Sequence, residues 1–325
     1  MNVELKPFKF VPYLKTVLWG GDRIASYKRI ATDKHNIGES WEISGVEGHE
    51  SIVSEGPDKG STLSAIIRKY RGDLVGKSVY ERFGDKFPLL IKIIDAKRDL
   101  SLQVHPDDEL AMKRHNSFGK TEMWYIIDSA QGASIYTGFS RKITPEEYER
   151  RIADDTLMNV VACHKSHPGD VFFLPSGRIH CIGAGNLLAE IQQTSDITYR
   201  VYDFNRLGAD GKPRELHTAQ ARDAIDYNLY DNYVQPYGYS DVGDTPMIKC
   251  KYFDVHKVVV NGVLDIDHSG IDSFCVVMCL KGTAEISDHS LSVISINQGE
   301  TVLIPANVSL LHFEGKAELI TAVID

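Results

Sequence analysis

The 325 residues are 42% hydrophobic, which is enough to bury a full core and leaves room for two domains. A formal net charge of -9 argues against nucleic acid or an anionic membrane as the main partner, because both need a basic face. No charged-then-apolar leader and no apolar run near the ~18 residues of a membrane span occur, so neither export nor insertion is expected.

Short segments rich in Val, Ile, Phe and Tyr, punctuated by Gly, Pro and Asp, predict a mainly β protein with small helical additions. Leu63, Ile66, Ile67, Tyr70 and Leu74 recur at three- and four-residue spacing and predict a helical addition over about 62–83, broken at Gly72 and Gly76. Next comes Ser101-Leu-Gln103-Val-His105-Pro. Alternate side chains of a strand share a face, so Gln103 and His105 project together and Ser101 has the same parity. Glu122 opens a strand-forming run through Ile127, and Lys120, two residues before it, is expected on the same face.

Thr144-Pro-Glu-Glu147 combines an N-cap, a first-turn proline and a capping-box acid, opening a helix through about Asp155 within a second helical addition over about 144–165. Asp170 to Pro175 reads as a strand, and the turn after it delivers His180. Glu190, Thr194, Asp196, Thr198 and Arg200 are evenly spaced, so one continuous strand would aim them all inward. The same spacing equally describes the wet face of an exposed strand with Ile191, Ile197, Tyr199 and Val201 in the core. A further helix is expected near Thr218, and residues 231–246 read as a linker.

The carboxy-terminal part carries a faint copy of what precedes it. Tyr125 to Ile135 resembles Val276 to Ile286, and Gly169 to Pro175 resembles Gly299 to Pro305. The paired glycines are 37 apart in the first copy and 17 in the second, and the extra length is where the Thr144 helix lies. Leu310 stands where His180 would be. The expected organisation is therefore a metal-binding unit over 1–230, a linker, and a metal-free unit over 247–325. Five scattered cysteines without CxxC spacing fit reduced thiols and a cytoplasmic location. Cys181, although next to His180, reads as a small packed thiol.

Gln103, His105, Glu122 and His180 offer two imidazole nitrogens, one carboxylate and one neutral oxygen. Singly, each has an ordinary reading as a turn residue, a surface acid or a hydrogen-bonded strand residue. As a set they form a mixed N/O shell that suits zinc and also accommodates Mn, Co, Fe or Ni. A divalent ion with a single carboxylate keeps a formal positive charge and remains a Lewis acid for an oxygen that becomes negative, such as that of an enediolate.

The pattern Gly169-x5-Pro175-x-Gly177-x2-His180 resembles a motif of the cupin superfamily, and the order His105, Glu122, His180 resembles its ligand order, with Gln103 where many cupins place histidine. A closer resemblance is carried by Val17 to Gly21, Gly38 to Glu42, Phe87 to Pro106, Gly119 to Tyr125, Pro175 to His180 and Glu190 to Asp203. Over about residues 7–228 the chain resembles the type I mannose-6-phosphate isomerases, most of all their short bacterial form. The resemblance implies two jelly-roll, cupin-like barrels and one Zn²⁺ per chain held by Gln103, His105, Glu122 and His180. It also implies reversible conversion of mannose 6-phosphate to fructose 6-phosphate. Larger members carry a helical insertion that this chain lacks.

Under that reading Arg200 meets the charge of substrate or enediolate, Asp196 with Lys120 moves protons, and Glu190 is the rival base. Ser101, Lys92 and Arg206 are candidates for the phosphate, whereas Lys212-Pro-Arg214 reads as a solvated turn before a phosphate clamp. Two further readings stand beside the isomerase: a cupin oxygenase, since two His and one Glu also describe an iron triad, and a non-catalytic sugar-binding jelly roll.

Overall fold

A computed structural model describes residues 5–208, 211–238, 240–288 and 293–324. Three antiparallel sheets carry the chain. A six-stranded sheet runs in the order Val171–Leu174, Glu122–Ser129, Asn186–Gln193, Leu89–Asp95, Ile37–Ile43, Tyr13–Gly21. A five-stranded sheet has the order Tyr199–Tyr202, Leu102–Val104, His180–Ile182, Ser134–Phe139, Val161–Lys165. These two sheets enclose one core, in which Trp124, Ile126 and Leu188 of the first meet Leu102, Val104, Ile135 and Cys181 of the second. The mainly β, jelly-roll-like expectation holds, as facing sheets rather than a closed barrel.

The six-stranded sheet is buried on both faces. Along the Glu122 strand, Trp124 and Ile126 point to the core just described, while Met123 and Tyr125 enter a second core shared with Phe253, Val255, Val276 and Ile320 of the carboxy-terminal unit. The Glu122 run is apolar on both faces because a central strand covered on both sides has no wet face to present.

The carboxy-terminal unit is an eight-stranded sheet with a core of its own, built on the long strands Asp254–Asp267, Cys275–Ser287 and Leu310–Val323. It also takes in Phe8–Val11, which pairs with Thr301–Ile304, and Ile52–Val53 beyond it. The expected 1–230 unit therefore gives up two strands to the other sheet. A buried tie reinforces that junction: Lys28 donates to both oxygens of Glu42 (2.7 and 2.6 Å) and to the Gly299 carbonyl.

The helical addition over 62–83 is present as Leu63–Tyr70, Gly72–Val75 and Lys77–Phe83, with Thr62 capping the first and Gly76 (φ 96°) separating the last two. The addition over 144–165 is shorter than expected. The helix Pro145–Ala153 and a 3₁₀ turn Leu157–Val160 give way to the strand Val161–Lys165, which the sheet claims through pairing with Ser134–Phe139. The Thr218 helix is present as Thr218–Ala224. A helix at Asp108–His115, not expected above, has its signal in the sequence: Asp107 caps it, acids fill its first turn and Lys113, Arg114 and His115 its last. The 231–246 linker is tied down where Gln235 N–H donates to Val171 and ends in the strand Gly243–Lys249. Among the described residues no helix is long and apolar enough to cross a membrane.

Candidate active site

Ladder register builds the site as two facing rows. In the six-stranded sheet Trp41, Lys92, Glu190 and Trp124 lie side by side on successive strands, with Glu122 one step along, paired to Gln192 and Leu174. In the five-stranded sheet Gln103 sits between Arg200 and His180. His105 leaves the end of the Gln103 strand.

His105, Glu122 and His180 converge, all buried, with their donor atoms within 4.8 Å of one another. His105 Nδ1–H donates to the Ile197 carbonyl and His180 Nδ1–H to the Arg178 carbonyl, each at 2.8 Å. These bonds fix both tautomers and leave Nε2 of each ring as a lone-pair acceptor. His180 Nε2 lies 3.2 Å from Glu122 Oε1, and His105 Nε2 lies 3.5 Å from Glu122 Oε2. Glu122 Oε1 is buried with no hydrogen-bond partner. The rings and the carboxylate share no proton among themselves; the hydrogens they meet come from Lys120 and Gln103, and a cation can take that place. The Lys120 ammonium touches the same group, 2.6 Å from Glu122 Oε2 and 3.0 Å from His105 Nε2. The Gln103 amide nitrogen, not the oxygen expected as ligand, lies 3.2 Å from the His180 Nε2 lone pair, so ligation through the oxygen needs the amide turned over.

Electrostatics favour ligation in the same sense. Burial, reinforced by the Lys120 charge, pushes His105 well below the usual imidazole range and His180 down to about 3, so both rings are neutral, as a metal ligand must be. Burial raises Glu122 above the usual carboxylate range despite Lys120. Glu190 is opposed by burial too, yet Lys92 and Lys120 overcome it and hold its carboxyl low. Its two oxygens accept from Lys92 Nζ (2.8 Å) and Trp124 Nε1 (2.7 Å).

A cavity of about 400 Å³ opens from the site. Glu190, Asp196, Thr198 and Arg200 all line it, with Lys120, Gln103, Ser101 and Lys92. One continuous strand does not do this. The Glu190 strand ends at Gln193, Thr194 N–H turns to the Pro88 carbonyl, and Arg200 belongs to the opposite sheet. The chain crosses between sheets at 194–198 and folds Asp196 into the mouth of the cavity. Lys92 is occupied by Glu190 and Gln192, with Glu39 at 3.6 Å. Arg206 is not among the lining residues; it donates to Asp203 and to the Asp99 carbonyl. Arg214, read above as part of a solvated turn, lines the cavity, clamped on Asp203. Trp19, Trp41, Glu39 and Lys15, not singled out above, complete the wall. The signal for Trp41 and Glu39 was parity, since they alternate on one strand and the Trp41 indole N–H donates to Glu39 (2.7 Å). A larger cleft of about 860 Å³ lies between the units, against Tyr125 and Lys257 on the far face of the Glu122 strand, away from the histidines.

Residues 8–131 match the family described as phosphomannose isomerase type I, catalytic domain, and residues 244–324 match the mannose-6-phosphate isomerase cupin domain. The chain is 36% identical to the mannose-6-phosphate isomerase ManA of Bacillus subtilis, over 98% of each. It is 32% identical to the mannose-6-phosphate isomerase of Streptococcus mutans, over 94% of each. The crystal structure of a Bacillus subtilis mannose 6-phosphate isomerase superposes with a TM-score of 0.88 at 32% identity, covering 98% of this chain and 99% of that one. A phosphomannose isomerase variant from Salmonella typhimurium, at 15% identity, shares the fold with a TM-score of 0.81.

Proposed function

The chain belongs to the type I phosphomannose isomerases, and from that premise we propose how its residues divide the work. It is an aldose–ketose isomerase that interconverts mannose 6-phosphate and fructose 6-phosphate and uses a metal cofactor. The oxygenase and the non-catalytic readings give way to that membership. In our reading the metal is zinc, one per chain, held by Gln103, His105, Glu122 and His180. The observation that carries this is the convergence of two tautomer-locked imidazoles on one buried carboxylate, whose Oε1 has no hydrogen-bond partner. When bound, the ion supplies Lewis-acid polarisation of the sugar oxygens at the reacting carbons.

The protein must move a proton between neighbouring carbons and keep water out. Lys120 and Asp196 are assigned to proton transfer. Lys120 carries its protons into the lone-pair cluster itself, and Asp196 stands exposed at the cavity mouth. Glu190 is the weaker candidate base, since both its oxygens are engaged and its carboxylate is held ionised. We read it as the group that, with Lys92, orients the sugar. Trp19 and Trp41 wall the cavity against solvent.

Charge supports a phosphate seat on the arginine side of the cavity, beyond Gln103. Arg200, Arg206 and Arg214 cluster about Asp203, with Glu215 also acting on Arg200, leaving a net positive charge where a phosphate dianion would sit. Arg200 is depressed by burial and by its two arginine neighbours, and its Nε is buried without a partner. We therefore assign the phosphate to Arg200 and Arg214 beside Ser101, with Arg206 bracing Asp203. All five cysteines are unpaired, which supports a reducing, cytoplasmic compartment.

The test is removal and return of the metal. Protein stripped by a chelator should lose mannose 6-phosphate isomerisation and regain it with Zn²⁺. Failure of Zn²⁺ to restore turnover while another divalent ion does so would replace zinc.

A further inference from the structure

Lys120 hangs between two backbone amides, and both are gripped from outside the site. Gly119 N–H donates to Asp108 Oδ1 (3.0 Å), and Thr121 N–H donates to the Gln193 side-chain oxygen (2.8 Å). Gln193 is buried and in turn donates to Asp108 Oδ1 (2.9 Å), so both amides are referred to one carboxylate. A Cβ at Gly119 would lie 2.7 Å from the Asp108 amide nitrogen, so the contact is as close as the backbone allows. The other oxygen of Asp108 faces the carboxy-terminal unit, accepting from Tyr252 Oη (2.8 Å) and Lys251 Nζ (3.4 Å). Both come from the bend between the strands Gly243–Lys249 and Asp254–Asp267. Asp108 is not needed as a helix cap, because Asp107 accepts the Leu110 N–H (2.8 Å) and does that work.

We propose that the carboxy-terminal unit acts on catalysis through a relay, Tyr252 to Asp108 to Gly119 and Gln193, that sets the reach of the Lys120 ammonium. Tyr252 and Asp108 are then positioning residues for the proton-transfer step, an inference that rests on Lys120 as a proton carrier. The physical ground is that hydrogen bonds to the amides on either side of Lys120 fix its backbone position, and a displacement of ~1 Å in a reacting group costs on the order of a hundredfold in rate. The carboxy-terminal sheet holds no metal set of its own among the described residues, yet it reaches the active site by this contact.

The experiment measures kcat, KM and bound zinc in the full-length, zinc-loaded enzyme with mannose 6-phosphate. Tyr252→Phe should lower kcat about threefold to tenfold and Asp108→Ala about thirtyfold or more, with KM and zinc content unchanged. Asp108→Asn keeps an acceptor for Gly119 and Gln193 and should recover most of the rate. Tyr252→Phe should add nothing in an Asp108→Ala or a Lys120→Met background. The relay is overturned if Tyr252→Phe slows wild type and Lys120→Met by the same factor, or if Asp108→Asn is no better than Asp108→Ala. Wild-type kcat in Lys120→Met alone would instead remove Lys120 from proton transfer. That outcome is distinct from failure of the relay, in which Lys120→Met is slow and Tyr252→Phe is not.

Discussion

Arg214→Gln separates recognition of the phosphate from chemistry at the metal end. Arg214 lines the cavity with a quarter of its side chain exposed, and its guanidinium is bidentate on Asp203, which Arg206 also holds. With Arg200 these groups carry three positive charges against Asp203 and Glu215. The substitution removes the positive excess and leaves Asp203 hydrogen-bonded by Arg206. Losing a hydrogen bond to a charged group costs about 1.5–3 kcal/mol, and partial exposure favours the low end of that range. The expected consequence is a fall in kcat/KM for mannose 6-phosphate of roughly 10–30-fold, carried by KM. A coupled assay of initial rates gives both constants, and competition by inorganic phosphate supplies an independent reading, which should weaken by a similar factor. Unphosphorylated mannose should be turned over as poorly by the variant as by the wild type, and no worse. If KM and phosphate inhibition are unchanged, or if the loss is the same with and without the phosphate, the arginines are structural and the seat lies elsewhere.

Lys28→Met strands Glu42 in the junction between the units, where Ser40 Oγ (2.6 Å) would be its remaining partner. Breaking a buried pair from one side costs about 3–5 kcal/mol, and replacing both members by apolar residues recovers most of it. Urea unfolding of Lys28→Met and Lys28→Met/Glu42→Leu checks this, and a loss under about 1 kcal/mol in the single variant contradicts it. A second expectation concerns protons. Burial holds the imidazoles of His105 and His180 neutral, well below their usual range, whereas Glu122, raised by burial to about 7, is the ligand that still has a proton to lose at pH 6. Zinc titrated into stripped protein at pH 6, in buffers of different ionisation enthalpy, should therefore release about one proton per ion, and release of two or more would place charged imidazoles in the site.

The parts of the site written within short extended runs were legible. Gln103 with His105 and Lys120 with Glu122 follow from parity, although His105 and Lys120 lie just outside the strands of their partners. The failures share one cause. The even spacing from Glu190 to Arg200 suggested one strand, yet position 190 lies in one sheet and position 200 in the other, and the crossing at 194–198 leaves no periodic trace. Arg214 looked like a turn residue because its partner Asp203 is eleven positions away and its loop is held by hydrogen bonds rather than by an apolar pattern. Phe8–Val11 joined the far sheet because pairing with Thr301–Ile304 is decided by the far end of the chain. Asp108 had a visible reason to be acidic, the first turn of a helix, which concealed its contacts with Gly119 and Tyr252.

The two ends of the cavity are built from different material, and that difference orders the effects of mutation. Glu122 is laced between Leu174 and Gln192, and His180 between Gln103 and Thr137, with fully buried Met123, Ile179 and Cys181 beside them. A stiff frame keeps these lone pairs converged on one point, where Lys120 and Gln103 meet them. Asp196, Arg200 and Arg214 instead stand on the crossing segment, on a four-residue strand, and on the loop that follows Phe204 and Asn205, both at positive φ. Asp196 and Arg214 lie outside both sheets, whereas Arg200 is held in the five-stranded one by its pairing with Gln103. Changes beside Glu122 and His180 should therefore act on metal content and kcat together, whereas a change at Arg214 should act first on how tightly the phosphorylated sugar is held.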